Sequence, residues 1–199
     1  MDKNALFKLS YGLFVLTAKQ DGKDNGCIIN TAMQLTDTPL QIQISVNKQN
    51  LTHDMILATG EFNVSVLSQD APFWLFKHYG FQSGRDTDKF DGMPQNRTEN
   101  GICYDADHSN AIISGKVVST VDCGTHTVFI AQVTQAKVLS NVPSMTYQYY
   151  FDHVKPKPQP VEKASWVCKI CGYVYEGASV PEDYVCPWCK HGPEVFEKL

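Results

Sequence analysis

The chain carries little charge and no strong excess of either sign. Of its 199 residues 19% are charged, 17 Lys and Arg against 21 Asp and Glu, for a formal net charge of −4. A basic excess of the kind that holds a protein on nucleic acid or an anionic membrane is missing. No stretch approaches the ~18 consecutive apolar residues that a transmembrane helix needs. The short apolar run within MDKNALFKLSYGLFVLTAKQDG alternates with polar residues, and no small-residue cleavage site follows at the right distance. It reads as a strand and not a signal peptide, so a soluble, cytoplasmic protein is expected, with neither nucleic acid nor membrane as partner. Several site signatures are lacking too. There is no G-x-G-x-x-G after a strand, no G-x-x-x-x-G-K-[ST], no nucleophile elbow and no H-E-x-x-H. The six histidines fall into no metal-ligand spacing, and no internal repeat is visible.

Cysteine is where the sequence is rich. Seven are present: Cys27, Cys103 and Cys123 are scattered, while Cys168, Cys171, Cys186 and Cys189 crowd the last 32 residues as two C-x-x-C pairs. An odd total with this clustering suits a reducing compartment and a metal site better than a disulfide framework. The three scattered cysteines read as small buried hydrophobes.

The segment VKPKPQPVEKA, residues 154–164, places prolines at 156, 158 and 160. Such spacing favours an extended spacer, ~3.1 Å per residue and roughly 30 Å in all. Its composition lacks the apolar content to pack tightly. The chain is therefore read as a domain over 1–153, a Pro-rich linker over 154–164 and a small domain over 165–199. The first domain reads mainly as β. Leu40 to Val46 alternates apolar and polar residues strictly, and Phe62, Val64 and Val66 repeat the pattern. Leu51 to Thr59 suits a short helix with Thr52 a candidate cap and Gly60 its stop, and Ala71 to Tyr79 suits another. Ala111 to Val121 and His126 to Ser140 read as two long paired strands around Asp122-Cys-Gly-Thr125. Many strands with few helices suggest a closed or nearly closed barrel.

Each C-x-x-C turn can present two thiolates to one ion, giving tetrahedral all-sulfur coordination that suits iron or zinc. Fourteen residues separate Cys171 from Cys186, enough for a hairpin return. A domain this small buries too little apolar surface alone, so the metal supplies much of its folding free energy. Geometry leaves iron and zinc both open. Cys168-Lys-Ile-Cys171-Gly-Tyr-Val-Tyr175 followed by Cys186-Pro-Trp-Cys189, with Trp166 and Phe196, resembles rubredoxin, which implies one iron cycling between ferric and ferrous states. The knuckles lie closer together than in free-standing rubredoxins, as in shortened modules fused to redox domains. Lys190 stands where the second knuckle often has glycine.

In the first domain, Asn25-Gly-Cys-Ile-Ile-Asn-Thr-Ala-Met33 through Pro39, then Ser45-Val-Asn-Lys48 with Thr52, resembles the flavin reductase family and its FMN-binding split barrel. Gly60-Glu-Phe-Asn-Val-Ser-Val-Leu67, Ser83-Gly84 with Asp88-Lys-Phe90, and Gly124-Thr-His-Thr-Val-Phe129 match later blocks in order. Ser45, Asn47, Lys48 and Thr52 stand where a strand ends and a helix begins, a place suited to an FMN phosphate. By resemblance Asn30, Thr31, Ala32 and Met33 line the isoalloxazine slot, Lys89 approaches ring or phosphate, and His126 is the catalytic residue beside flavin and nicotinamide. Arg85 is a candidate partner for an NAD(P)H phosphate.

A flavin accepts a hydride and releases electrons singly, while a rubredoxin iron carries one at a time. The fusion therefore implies an NAD(P)H-dependent flavin/rubredoxin oxidoreductase with FMN and one iron held by four cysteines. It resembles the high-molecular-weight rubredoxins, which implies electron delivery to a flavodiiron O2 or NO reductase. The flavin family further implies a homodimer. Two alternatives stay open: a flavin reductase that releases reduced flavin and carries a structural zinc module, and a flavin-binding protein whose zinc ribbon docks a macromolecular partner.

Overall fold

A computed structural model describes residues 1–157 and 165–199, so most of the expected linker, 158–164, lies outside the described residues. A 3-10 helix over Lys3–Lys8 precedes the first strand, β1 (Phe14–Gln20). Asp21 and Gly22, both at positive φ (51° and 80°), turn it into β2 (Lys23–Ile29). A two-residue turn of this hand matches the twist of an antiparallel hairpin. Then follow β3 (Ala32–Asp37), β4 (Leu40–Asn47), helix α1 (Leu51–Thr59), β5 (Glu61–Leu67), helix α2 (Phe73–Gly80) and the long pair β6 (Ser109–Asp122) and β7 (His126–Val138). The expected second helix starts two residues late because Pro72 sits at its N-cap in extended conformation.

All seven strands form one antiparallel sheet in the order β2-β1-β5-β6-β7-β4-β3. Its two ends, β2 and β3, are neighbours in sequence, joined through Asn30 and Thr31, which is how the fold is mainly β and barrel-like yet split. The strict alternation of β4 puts Ile42, Ile44 and Val46 inside, while Ser45 and Asn47 lie on the other face, half-buried. The inner side packs Leu16, Phe62, Val64 and Phe129 against Met55 and Ile56 of α1. On the outer side Val15 and Leu67 pack against Leu75, Phe76 and Tyr79 of α2 and against Tyr150. Each such side chain, fully buried, contributes about 1.5–3 kcal/mol. β1 is thus covered on both faces.

After β7 a helical turn at Tyr147–Tyr149 runs into a π-helical turn over Tyr150–Val154, which stacks Tyr147, Tyr150 and Phe151 together. The expected spacer is therefore anchored at its start: Val154 packs with the outer cluster, and the Lys155 Nζ donates to the Lys169 carbonyl. Beyond it, β8 (Ser165–Cys168), β9 (Val174–Glu176) and β10 (Phe196–Lys198) make a small sheet in the order β10-β8-β9. Among the described residues no helix is long and apolar enough to cross a membrane.

Candidate metal centre and adjoining cleft

The two knuckles repeat one backbone design. Gly172 N–H donates to Cys168 O at 2.8 Å and Lys190 N–H to Cys186 O at 2.9 Å, while Cys168 N–H donates to Tyr173 O and Cys186 N–H to His191 O, each at 2.8 Å. Gly172 takes φ 80° and Lys190 φ 61°. Lys190 thus adopts the left-handed turn its glycine counterpart adopts freely, at a cost of about 1–2 kcal/mol. All four Sγ atoms lie within 4.8 Å of one another. Cys168 and Cys189 approach to 3.5 Å, as do Cys171 and Cys186. A tetrahedron with metal–sulfur bonds of ~2.3 Å has edges of ~3.8 Å, so the set fits one ion with little adjustment.

Electrostatics favour a cation there. A hydrogen bond from the Cys171 thiol, then the His191 amide, brings Cys189 down to about 4. Its neighbours move the other way. Burial pushes Cys168 up to about 11, and donation to Cys189 together with burial pushes Cys171 up further. The buried Cys168 and Cys171 thiols are thus held back from ionising by the protein, and a bound metal ion supplies the positive charge that offsets this. Amides of Ile170 and Cys171 bond the Cys168 sulfur, and those of Tyr173 and His191 bond Cys171 and Cys189. Amide bonds to sulfur of this kind tune an iron–thiolate potential. Trp166, Tyr173, Tyr175, Tyr184 and Phe196 pack around the sulfurs as a small aromatic core.

Beside this centre lies a cavity of about 370 Å³, lined by both domains. From the barrel come Asn25, Thr52, Tyr79 and Lys89; from the second knuckle come Trp188 and Cys189. Lys89 is only 2% exposed. Its Nζ donates to Gly26 O at 2.8 Å and Tyr79 O at 2.9 Å, leaving one N–H of the ammonium for the cavity. Burial brings its pKa down to about 8. Thr52 is not the helix cap, a position held by Asn50; its buried hydroxyl accepts from Asn25 Nδ2 at 2.9 Å. Gly84 closes over that pair, for a Cβ there would collide with the Asn25 carboxamide. The Cys27 thiol, also on this wall, is pushed up by burial.

A second lobe of about 300 Å³ gathers Asn30, Thr31, Ser45 and His126, and shares Ile28, Asn47 and Asn50 with the first. Thr31 fixes its wall, donating through Oγ1 to Ser45 O at 2.9 Å while its carbonyl accepts from Ser45 N–H at 3.1 Å. Register places His126 opposite Asn47 across β4 and β7. Its Nδ1 lies 2.9 Å from Thr125 Oγ1.

Seven of the expected residues thus meet in one two-lobed cleft: Asn30, Thr31, Ser45, Asn47, Thr52, Lys89 and His126. Others are placed elsewhere. Ala32 and Met33 begin β3 and line an apolar groove of about 270 Å³ with Phe14, Leu40, Ile42 and Val64, because the strand leaves the cleft at that point. Lys48 is held by both carboxylate oxygens of Asp122 at 2.8 Å, so its charge is answered outside the cleft. Arg85 pairs with Asp54 at 2.7 Å, and that hydrogen bond holds the Asp54 carboxyl below its usual range. Cys123 is exposed in the β6–β7 turn and is not a buried hydrophobe, unlike Cys27 and Cys103. Asn25, Tyr79 and the knuckle residues Trp188 and Cys189 were not expected in the cleft. Asn25 had a signal, since Asp21-Gly22 marks a hairpin that puts it on β2.

Residues 6–157 match the flavin reductase like domain family, and residues 166–197 match the rubrerythrin, rubredoxin-like domain. A high molecular weight rubredoxin of Moorella thermoacetica is 38% identical, with 100% of both chains covered. A ferric-chelate reductase (NAD(P)H) of Archaeoglobus fulgidus is 38% identical over 75% of this chain and 89% of its own. A putative diflavin flavoprotein of Nostoc is 29% identical over 71% of this chain but 25% of its own. Among solved structures, the Streptomyces globisporus NADH:FAD oxidoreductase SgcE6 superposes with a TM-score of 0.63 at 22% identity, covering 71% of this chain and 84% of that one.

Proposed function

Because the chain belongs to the flavin reductase-like family and continues into a rubredoxin-like domain, we propose that it carries electrons from NAD(P)H through FMN to an iron held by the four knuckle cysteines. From there they pass to a protein acceptor, a flavodiiron enzyme that reduces O2 or NO. The chain is an NAD(P)H-dependent oxidoreductase whose cofactors are a flavin and one iron. The observation that carries the electron path is the shared cavity, in which the metal ligand Cys189 and the buried ammonium of Lys89 line the same space.

FMN and a four-cysteine iron together supply a two-electron entry and a one-electron exit, so that NAD(P)H and two ferric irons give NAD(P)⁺, one proton and two ferrous irons. The chain's residues bind and orient. The free N–H of Lys89 and the first turn of α1 suit the phosphate end of FMN. Asn30, Thr31, Ser45 and Asn47 line the lobe suited to its ring, with polar groups on a wall that Thr31 stitches to β4. His126 stands at that lobe with one ring nitrogen steadied by Thr125, placed to orient a nicotinamide. Cys168, Cys171, Cys186 and Cys189 hold the iron.

The functional unit is a homodimer in the cytoplasm. In support, Met33, Leu35 and Leu40 are 57%, 40% and 43% exposed on the β3–β4 hairpin, whose outer strand β3 is an edge of the sheet, beside the apolar groove. Light scattering should give twice the chain mass, and a monomer with full FMN occupancy overturns the dimer. The electron path is tested by anaerobic addition of NADH to purified protein while flavin and ferric-thiolate absorbance are followed together. Flavin bleaching must precede iron bleaching. Red colour that never bleaches, or a colourless zinc-loaded module, defeats it.

A further inference from the structure

The sequence leaves Trp188 without a task, lodged between two metal ligands. In the structure its indole stacks on Phe81, the residue that ends α2, with ring centroids 6.1 Å apart and planes within 16°. Lys77, one turn earlier on α2, places its ammonium 4.8 Å from the indole centroid. Offset stacking and a cation over the ring are each worth a specific contact beyond plain burial. The second knuckle is thus fastened to the barrel through Trp188, while Lys155 holds the first knuckle by donating to Lys169 O. Three of the four sulfur ligands, Cys168, Cys171 and Cys186, have no exposed surface, and Cys189 alone is partly exposed. The residue next to Trp188 in the chain is therefore the one of the four ligands that lines the shared cavity.

We propose that Trp188 is a positioning residue: by docking on Phe81 and Lys77 of its own chain it holds the Cys189 edge of the metal centre at the flavin cleft, so that electrons cross within one chain. This rests on the reading of the cleft and metal centre given above. It adds that the acceptor must meet the module either while docked, from another side, or after the Trp188 stack opens. Transfer rates fall steeply with separation, so a module released from the Phe81 and Lys77 dock passes electrons more slowly.

The test uses full-length, FMN- and iron-loaded protein mixed anaerobically with NADH in a stopped-flow instrument. The quantity read is the ratio of the iron-bleaching rate to the flavin-bleaching rate in the same trace. Trp188→Ala should lower that ratio at least tenfold, and Trp188→Phe, which keeps a stacking ring, should restore most of it. Small-angle X-ray scattering supplies a readout independent of turnover: the radius of gyration should rise in Trp188→Ala and not in Trp188→Phe. Should Trp188→Ala lose its iron, Phe81→Ala removes the same stack from the barrel side and leaves the knuckle intact. An unchanged ratio and unchanged radius in the variant that keeps its iron overturns the proposal. Wild-type flavin that NADH fails to bleach would instead defeat the function on which it rests, and the scattering result would then stand alone.

Discussion

The barrel and the metal module solve the same problem with different materials. In the barrel, β1 is covered on both faces, and Phe62, Phe129, Ile44 and Leu16 are fully buried, so folding needs no ligand. The module has Phe196 and three cysteines as its buried apolar core, ringed by half-exposed aromatics. There the solvent-excluded centre is a set of sulfurs that repel one another once ionised. One region is stabilised by area and the other by coordination. Their failure should accordingly differ in kind.

The sharpest way to break that contrast is Cys186→Ser. With one ligand gone the module should lose its iron and unfold, forfeiting on the order of 10 kcal/mol of apparent binding energy, while the barrel keeps its FMN. Iron stoichiometry, visible absorbance and flavin titration read the three quantities. A fully red, fully loaded variant would show that four cysteines are not required. The mirror-image change is Phe129→Ala, which should cost the barrel about 3–5 kcal/mol through lost burial and a residual cavity. Urea unfolding followed by flavin release should shift markedly, and ferric-thiolate absorbance should not. If both signals move together, the regions unfold as one unit and the contrast fails.

Smaller in scale is the effect of pH on the cleft. The buried Lys89 has a pKa of about 8 against an unfolded value of 10.5. Between these values the unfolded chain binds more protons, so the stability of the ligand-free barrel should rise with pH. Anion binding needs the ammonium and should respond oppositely. FMN affinity should fall by up to about tenfold per pH unit above pH 8, and Lys89→Met should bind weakly at all pH values with no such slope. A wild-type affinity flat from pH 7 to about 9.5 would remove Lys89 from the phosphate site. Least of all should Lys48→Ala matter. The pair with Asp122 is exposed, so thermal stability and FMN affinity should stay near wild type. A large loss of affinity would return Lys48 to the binding site.

Much of this architecture is legible in the sequence because its signals are local. Alternation in Leu40 to Val46, the Gly60 stop and the long strands around Asp122 to Thr125 are written in consecutive residues. So is the C-x-x-C doublet, whose ligands need only one turn each. What escapes is decided at long range. Nothing near Lys48 announces that Asp122, 74 residues away, will take its charge. Nothing near Lys89 announces that two carbonyls will bury it. Ala32 and Met33 adjoin Asn30 and Thr31 in the chain but fall in a different groove, since β3 begins at Ala32 and carries the chain away from the cleft. The Trp188 contact crosses between domains and has no local trace at all.

The split in the sheet has a mechanical consequence. The free sides of β2 and β3 meet only through Asn30 and Thr31, and Thr31 is latched to Ser45 on β4. The cleft straddles this seam, with Asn25 and Cys27 on one side and Ser45 and Asn47 on the other. A molecule that binds both sides closes the ring that the hydrogen-bond ladder leaves open, as a clasp closes a bracelet. Amide hydrogen exchange should therefore slow on cofactor binding along β2 and at the Thr31–Ser45 latch, which border the seam, and remain unchanged in β5 and β6, where the ladder is complete on both sides.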